Sequence, residues 1–220
     1  MRAFRHETDL ARNVVRWLQD CRWDVYQEVQ PGAGWPIADI VAVNGSLIWV
    51  IESKLSVSLD VIDQAMKWSS WAHYVSIAAP MGRARRSEAC YRFLGSMGIG
   101  LIQVNEHGTV EETLCPCIKR SARTDYLKKC LRPEHQTYAE AGNANGKRWT
   151  PFRQTSDNAL RIVQQKPGIT LKELVDAIET HYRRKTTARA CLSKWIRRGV
   201  IKGIEMRREG RKLRIYPGNK

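Results

Sequence analysis

Apolar residues set the rhythm of the first half of the chain. Leu10, Ala11, Val14, Trp17 and Leu18 recur at helical spacing in "HETDLARNVVRWLQDC", which predicts an opening helix with one apolar stripe. "WDVYQEVQ" alternates and stops at Pro31-Gly32, the pattern of a strand. Ile37–Val43 and Leu47–Glu52 are apolar runs joined by Asn44-Gly45, a strong hairpin signal. "SLDVIDQAMKWSSWA" reads as a helix with Ser58 as N-cap, "HYVSIAAP" as a strand and "RARRSEACYRFLGSM" as a helix stopping at Gly98. "GIGLIQVN" and a segment near Val110 supply the last strands. This order predicts an α/β fold, helices flanking a mixed sheet, over residues 1–114.

The rhythm then weakens. Residues 115–150 contain many breakers, and "AGNANG" reads as an exposed loop, so this stretch is expected to be a linker with a short helix at Ser121–Leu131. Periodicity returns in residues 151–220. "TSDNALRIVQQKPG" is a helix ending at Pro167-Gly168, and "TLKELVDAIE" opens with a capping box from Thr170 to Glu173. "TTARACLSKWIRRG" is a third helix with Gly199 as its stop, and two strands follow around Glu209-Gly210. Three helices and a β-hairpin are the ingredients of a small winged helix-turn-helix domain.

Charge separates the same segments. The chain carries +15 over 220 residues, divided as −2 in residues 1–114, +5 in 115–150 and +12 in 151–220. A near-neutral half joined to a strongly basic one points to a polyanionic partner, most simply DNA. No stretch approaches the ~20 apolar residues that span a bilayer, and the first residues lack the apolar core of a secretory signal. A cytoplasmic protein with reduced thiols is therefore expected.

The hairpin "ADIVAVNGSLIWVIESKL" holds the candidate chemistry. Asp39 and Glu52 lie on its two consecutive strands and can converge, yet two carboxylates aimed at one spot repel unless a cation lies between them. Hard oxygen ligands of this kind suit Mg²⁺ or Mn²⁺. Lys54 lies two residues beyond Glu52 and can reach the same place as a point charge. Glu7 shares the apolar stripe of the opening helix with Ala11, Val14 and Leu18, where an acid needs a reason to be. Two carboxylates, a metal and a lysine can activate water and stabilise a pentavalent phosphate.

Glu7, Asp39 and Glu52-Ser53-Lys54, in this order of elements, resemble the PD-(D/E)XK nuclease superfamily, with its restriction-endonuclease-like fold. The resemblance covers residues 4–112. The spacing is especially similar to that of small archaeal Holliday-junction resolvases, although Ala38 stands where the family commonly has Pro. It implies an Mg²⁺-dependent deoxyribonuclease that leaves a 5′-phosphate and a 3′-hydroxyl. Asp39, Glu52 and the Ser53 carbonyl would be metal ligands, Lys54 would orient water or steady the transition state, and Glu7 would complete the site. Gln64, on the following helix, resembles a glutamine that many members carry there. Cutting both strands of a duplex needs two such sites, so a homodimer is a further expectation.

Other residues point elsewhere. Cys115, Cys117, Cys130 and His135 give four soft ligands within 21 residues, a possible zinc set. In the basic segment, Thr186, Thr187 and Arg189 open the third helix where winged-helix proteins meet base edges. Lys194, Arg197 and Arg198 are better placed for phosphates, and Arg207, Arg208, Arg211 and Lys212 cluster at the hairpin tip. The expected function is a metal-dependent DNA endonuclease targeted by a basic domain. The alternatives are a non-catalytic DNA-binding regulator built on a nuclease-like fold and a junction- or structure-specific resolvase.

Overall fold

The structure is a computed structural model, and it describes residues 4–32, 34–82, 88–143, 148–210 and 212–218. Two compact units make up the chain, Met1–Trp149 and Thr150–Lys220. The stretch expected to be a linker thus belongs almost entirely to the first unit. Its breakers suggest an independent connector, but its backbone docks on the strands of that unit, as described below.

The first unit is α/β. Helix α1 (Glu7–Asp20) precedes strands β1 (Asp24–Val29), β2 (Ala38–Asn44) and β3 (Leu47–Ser53). Helix α2 (Leu59–Trp68), strand β4 (Tyr74–Pro80), helix α3 (Glu88–Ser96), strands β5 (Gly100–Val104) and β6 (Val110–Leu114) and helix α4 (Thr124–Cys130) follow. The strands form one mixed sheet in the order β1-β2-β3-β4-β5-β6. β3, β4 and β5 run parallel, and the remaining neighbours are antiparallel. Nearly continuous apolar runs in β2, β3 and β4 follow from burial on both faces.

Each face has its own core. α1 lays Leu10, Val14 and Leu18 on Ile40, Ile51 and Ile102. On the opposite face Trp68 of α2, Leu94 of α3 and Leu127 of α4 pack on Val41, Val50 and Ile77. The stripe read on the first helix is the one that is buried. Ser58 caps α2 through Val61 N, as its position in the sequence suggests.

The second unit holds helices α5 (Pro151–Gln165), α6 (Leu171–Ala177) and α7 (Lys185–Arg197) and strands β7 (Ile169–Thr170), β8 (Ile204–Glu209) and β9 (Lys212–Pro217). Its sheet is antiparallel with the order β7-β9-β8. Ala159, Val163, Leu174, Leu192, Ile196 and Ile215 form its core. The Thr170–Glu173 capping box is present. α5 begins four residues earlier than the apolar pattern indicates, because Thr150 caps it and Pro151 fills its first position.

Candidate functional site

The β2–β3 pairing ends at Ile40↔Ile51, so Asp39 and Glu52 are the next positions in that register. The Asp39 carboxylate reaches across and accepts the Ser53 backbone N–H at 2.8 Å. Glu52 accepts the Trp68 indole N–H at 2.7 Å. Each carboxylate is therefore aimed by one fixed donor, and both are buried, at 8% and 2% exposure. Burial drives both pKa values up, Glu52 well above the usual carboxylate range because the Asp39 charge adds to the effect. The Ser53 N–H, the Trp68 indole and Lys54 pull the other way without overcoming it.

Lys54 lies just past the end of β3, its N–H held by the Ala78 carbonyl. Its ammonium makes a 2.9 Å ion pair with Glu7, the first residue of α1. Burial lowers the Lys54 pKa, but Asp39, Glu7 and Glu52 outweigh it, so the net shift is upward and the ammonium stays charged. Glu7, Asp39, Glu52 and Lys54 are thus brought into one electrostatic cluster. Gln64 is half-buried on α2, and Trp68, one turn further along, makes the hydrogen bond to Glu52.

A third buried carboxylate carries no such signal in the sequence. Glu28 lies on β1 opposite Asp39, between the pairs Gln27↔Ile40 and Val29↔Ala38. Its φ is +53°, a left-handed value costly for a residue with a Cβ. It is 5% exposed, and burial, with Asp39 second, raises its pKa to about 7. Asn143 and Gly142 backbone N–H groups bind its carboxylate. The same loop donates the Ala141 N–H to Gln27 and sets Gly142 so tightly that an added Cβ would lie 2.9 Å from the Glu7 backbone. In sequence Glu28 is one polar position of the alternating stretch "WDVYQEVQ", and no local pattern marks it.

Three buried carboxyl groups share one ammonium, and burial pushes each toward its protonated form, whereas a bound cation would stabilise them ionised. The donor chemistry fits a hard divalent ion held by Asp39 and Glu52. Ser53 is fully buried beside them, and its hydroxyl has no hydrogen-bond partner. Among the described residues, no group of three or more His, Cys, Asp or Glu side chains is arranged to hold a metal ion. That includes the suggested zinc set. Cys115 and Cys117 are exposed, the Cys130 thiol donates to the Pro31 carbonyl, and His135 Nδ1 accepts the Arg132 N–H.

In the second unit, Thr186, Thr187, Lys194, Arg197 and Arg198 are exposed along α7 and its C-terminal end. Arg189 is half-buried and faces Asp176 at 3.7 Å, while Lys185 binds the same carboxylate at 2.7 Å. Arg207 and Arg208 on β8 and Lys212 on β9 are exposed at the hairpin, and Arg207 pairs with Glu205 and lies over the Tyr216 ring. Arg211 lies outside the described residues. No helix among the described residues is long and apolar enough to cross a membrane.

No family model matches the chain, and neither does any curated protein. Among solved structures it is similar to one described as "Crystal Structure of Protein of Unknown Function AF1548". The identity is 14%, the match covers 90% of this chain and 100% of that one, and the TM-score is 0.36. A likeness of that size carries no argument about activity.

Proposed function

We propose that the chain is a metal-dependent deoxyribonuclease of the PD-(D/E)XK kind, its first unit a restriction-endonuclease-like domain and its second a winged-helix DNA binder. The observation that carries this reading is the convergence of two buried carboxylates, Asp39 and Glu52, with a charged Lys54 at the end of β3. A structural ion pair does not explain it, because Lys54 already has Glu7 and the two acids remain in excess.

In this reading Asp39, Glu52 and the Ser53 carbonyl hold Mg²⁺ or Mn²⁺. The bound ion would lower the pKa of a water and neutralise charge on the phosphate. Trp68 and the Ser53 N–H keep one oxygen of each carboxylate occupied, which orients the other. Lys54, kept cationic by its acidic neighbours, offsets the charge that builds on the phosphoryl oxygens or orients the attacking water. Glu7 holds the ammonium in place.

The test is cleavage of labelled linear, flapped and four-way DNA. Glu52→Gln and Asp39→Asn should abolish cutting while leaving DNA binding largely intact, and Lys54→Ala should slow it by about 10²–10³. EDTA should silence the native protein, and Mg²⁺ or Mn²⁺ should restore it. Full cleavage by purified Glu52→Gln protein rules the reading out.

A further inference from the structure

Three aromatic rings gather on the first unit outside the carboxylate cluster. Trp35 lies in the β1–β2 loop, Trp71 follows α2, and Tyr126 is on α4. The Trp35 ring lies 4.7 Å from Trp71, edge to face, and 5.2 Å from Tyr126 at a tilt of 31°. Tyr126 is 42% exposed, whereas Trp35 and Trp71 are partly buried, Trp71 with one side against the core of that face, so each keeps only part of its ring open. Trp68 is the contrast, a tryptophan wholly inside the core.

The cluster is held in shape. The Trp35 carbonyl accepts the Gln30 amide at 2.9 Å, and its N–H donates to the Gly32 carbonyl at 3.1 Å. A Cβ at Gly32 would lie 3.3 Å from the Tyr126 hydroxyl and 3.4 Å from the Trp35 ring, so glycine lets the loop close on both.

Two short paths along the chain tie the rings to the carboxylates. Trp35 is four residues before Asp39, at most about 14 Å of extended backbone. Trp71 is three residues after Trp68, whose indole holds Glu52. Cations edge the same surface. The Arg123 N–H binds the Ser70 carbonyl, which sets Arg123 beside Trp71. Exposed Lys129 follows Tyr126 by three positions on α4, whereas the Lys128 ammonium donates to the Gly45 carbonyl of the β2–β3 turn at 3.2 Å.

Partly exposed rings beside a basic edge suit a polyanion whose π-faces are accessible. Paired bases hide those faces in the duplex stack, whereas unpaired bases offer them. We infer that Trp35, Trp71 and Tyr126 form a stacking platform for unpaired nucleotides, which would make a single-stranded or locally opened strand the preferred substrate of the adjacent site. The inference rests on the nucleic-acid reading above and narrows its substrate class.

The experiment measures binding of a labelled single strand and of its duplex to the full chain by fluorescence anisotropy, in EDTA so that nothing is cut. Trp35→Ala and Tyr126→Ala should each weaken single-strand binding about tenfold, the scale of removing one aromatic ring from beneath a base. Duplex affinity should hold, and a native calorimetric melting transition of the first unit reports that the variants are folded. Trp35→Phe and Tyr126→Phe keep a ring and should restore most of the single-strand affinity. Unchanged single-strand binding in both alanine variants overturns the inference and leaves the rings as packing for the loop. An equal loss on duplex overturns it too. Because this readout needs no cleavage, it stands or falls separately from the Glu52→Gln and Asp39→Asn result.

Discussion

A carboxylate at 5% exposure and a φ of +53° is costly twice, once in desolvation and once in backbone strain. Glu28 bears both costs, which marks it as more than a strand residue. Its acidity gives a sign that can be checked. The folded pKa is about 7, against 4.5 for the free side chain. Between those values the folded protein binds the extra proton, so stability falls as pH rises from about 4.5 and the loss is complete above about 7. A shift of that size corresponds to roughly 3 kcal/mol at full amplitude. Glu28→Gln should therefore flatten the metal-free pH–stability curve between pH 5 and 7 by about 2 kcal/mol, the part of that amplitude falling in this window. Denaturant titrations in EDTA at several pH values measure it, and a variant with the same slope as the native protein would show that Glu28 is ionised throughout. Asp39 and Glu52 are displaced in the same direction, so some slope should survive the substitution.

At the scale of elements, legibility follows the range of the interactions. The β2–β3 hairpin, α1 and the α2 cap are readable because each depends on residues within one turn or one strand pair: Asn44-Gly45, the stripe through Val14, and Ser58 with Val61. Asp39, Glu52 and Lys54 are readable for the same reason, being charged residues inside an apolar pattern. Residues 133–143 are not. This segment is fixed by its Ala141 and Asn143 N–H groups on Gln27 and Glu28, partners more than 110 positions away, and no periodicity announces a bond of that kind. Gly142 shows how closely it docks. Its φ is +74°, and an added Cβ would meet the Glu7 backbone at 2.9 Å. Gly142→Ala must strain the backbone and lift the loop from α1, costing about 1–3 kcal/mol. For a unit of this size that is a fall in Tm of roughly 2–10 °C. Calorimetry should find it, together with faster proteolysis around residues 138–143. Native melting and native proteolysis of Gly142→Ala would mean that the segment does not lie on Glu7.

Across the whole molecule, charge and candidate chemistry are on different units. Residues 1–149 carry 19 Lys and Arg against 16 Asp and Glu, and residues 150–220 carry +12 with no cluster of buried acids among the described residues. Each bound phosphate releases counterions only if a cation meets it, so the second unit should supply most of the duplex affinity. Some of its cations are already committed. Lys185 and Arg189 face Asp176, and Arg214 pairs with Glu209, whereas Lys194, Arg197 and Arg198 lie exposed at the C-terminal end of α7. The unit has its own core from Ala159 to Ile215, so residues 150–220 should fold and bind duplex DNA without cutting it. Reversing Arg207, Arg208 and Lys212 to Glu should weaken binding to every sequence and lower the slope of log K against log salt by about 0.9 for each phosphate no longer neutralised. Thr187→Ala should instead leave the slope alone and change only sequence preference, if base edges are met at the start of α7. Titrations at four or five salt concentrations separate the two behaviours. A fragment that ignores DNA at low salt while the full chain binds it would move the duplex-binding surface to the first unit, next to Arg123, Lys128 and Lys129, and leave α7 and the β8–β9 hairpin as a surface for another protein.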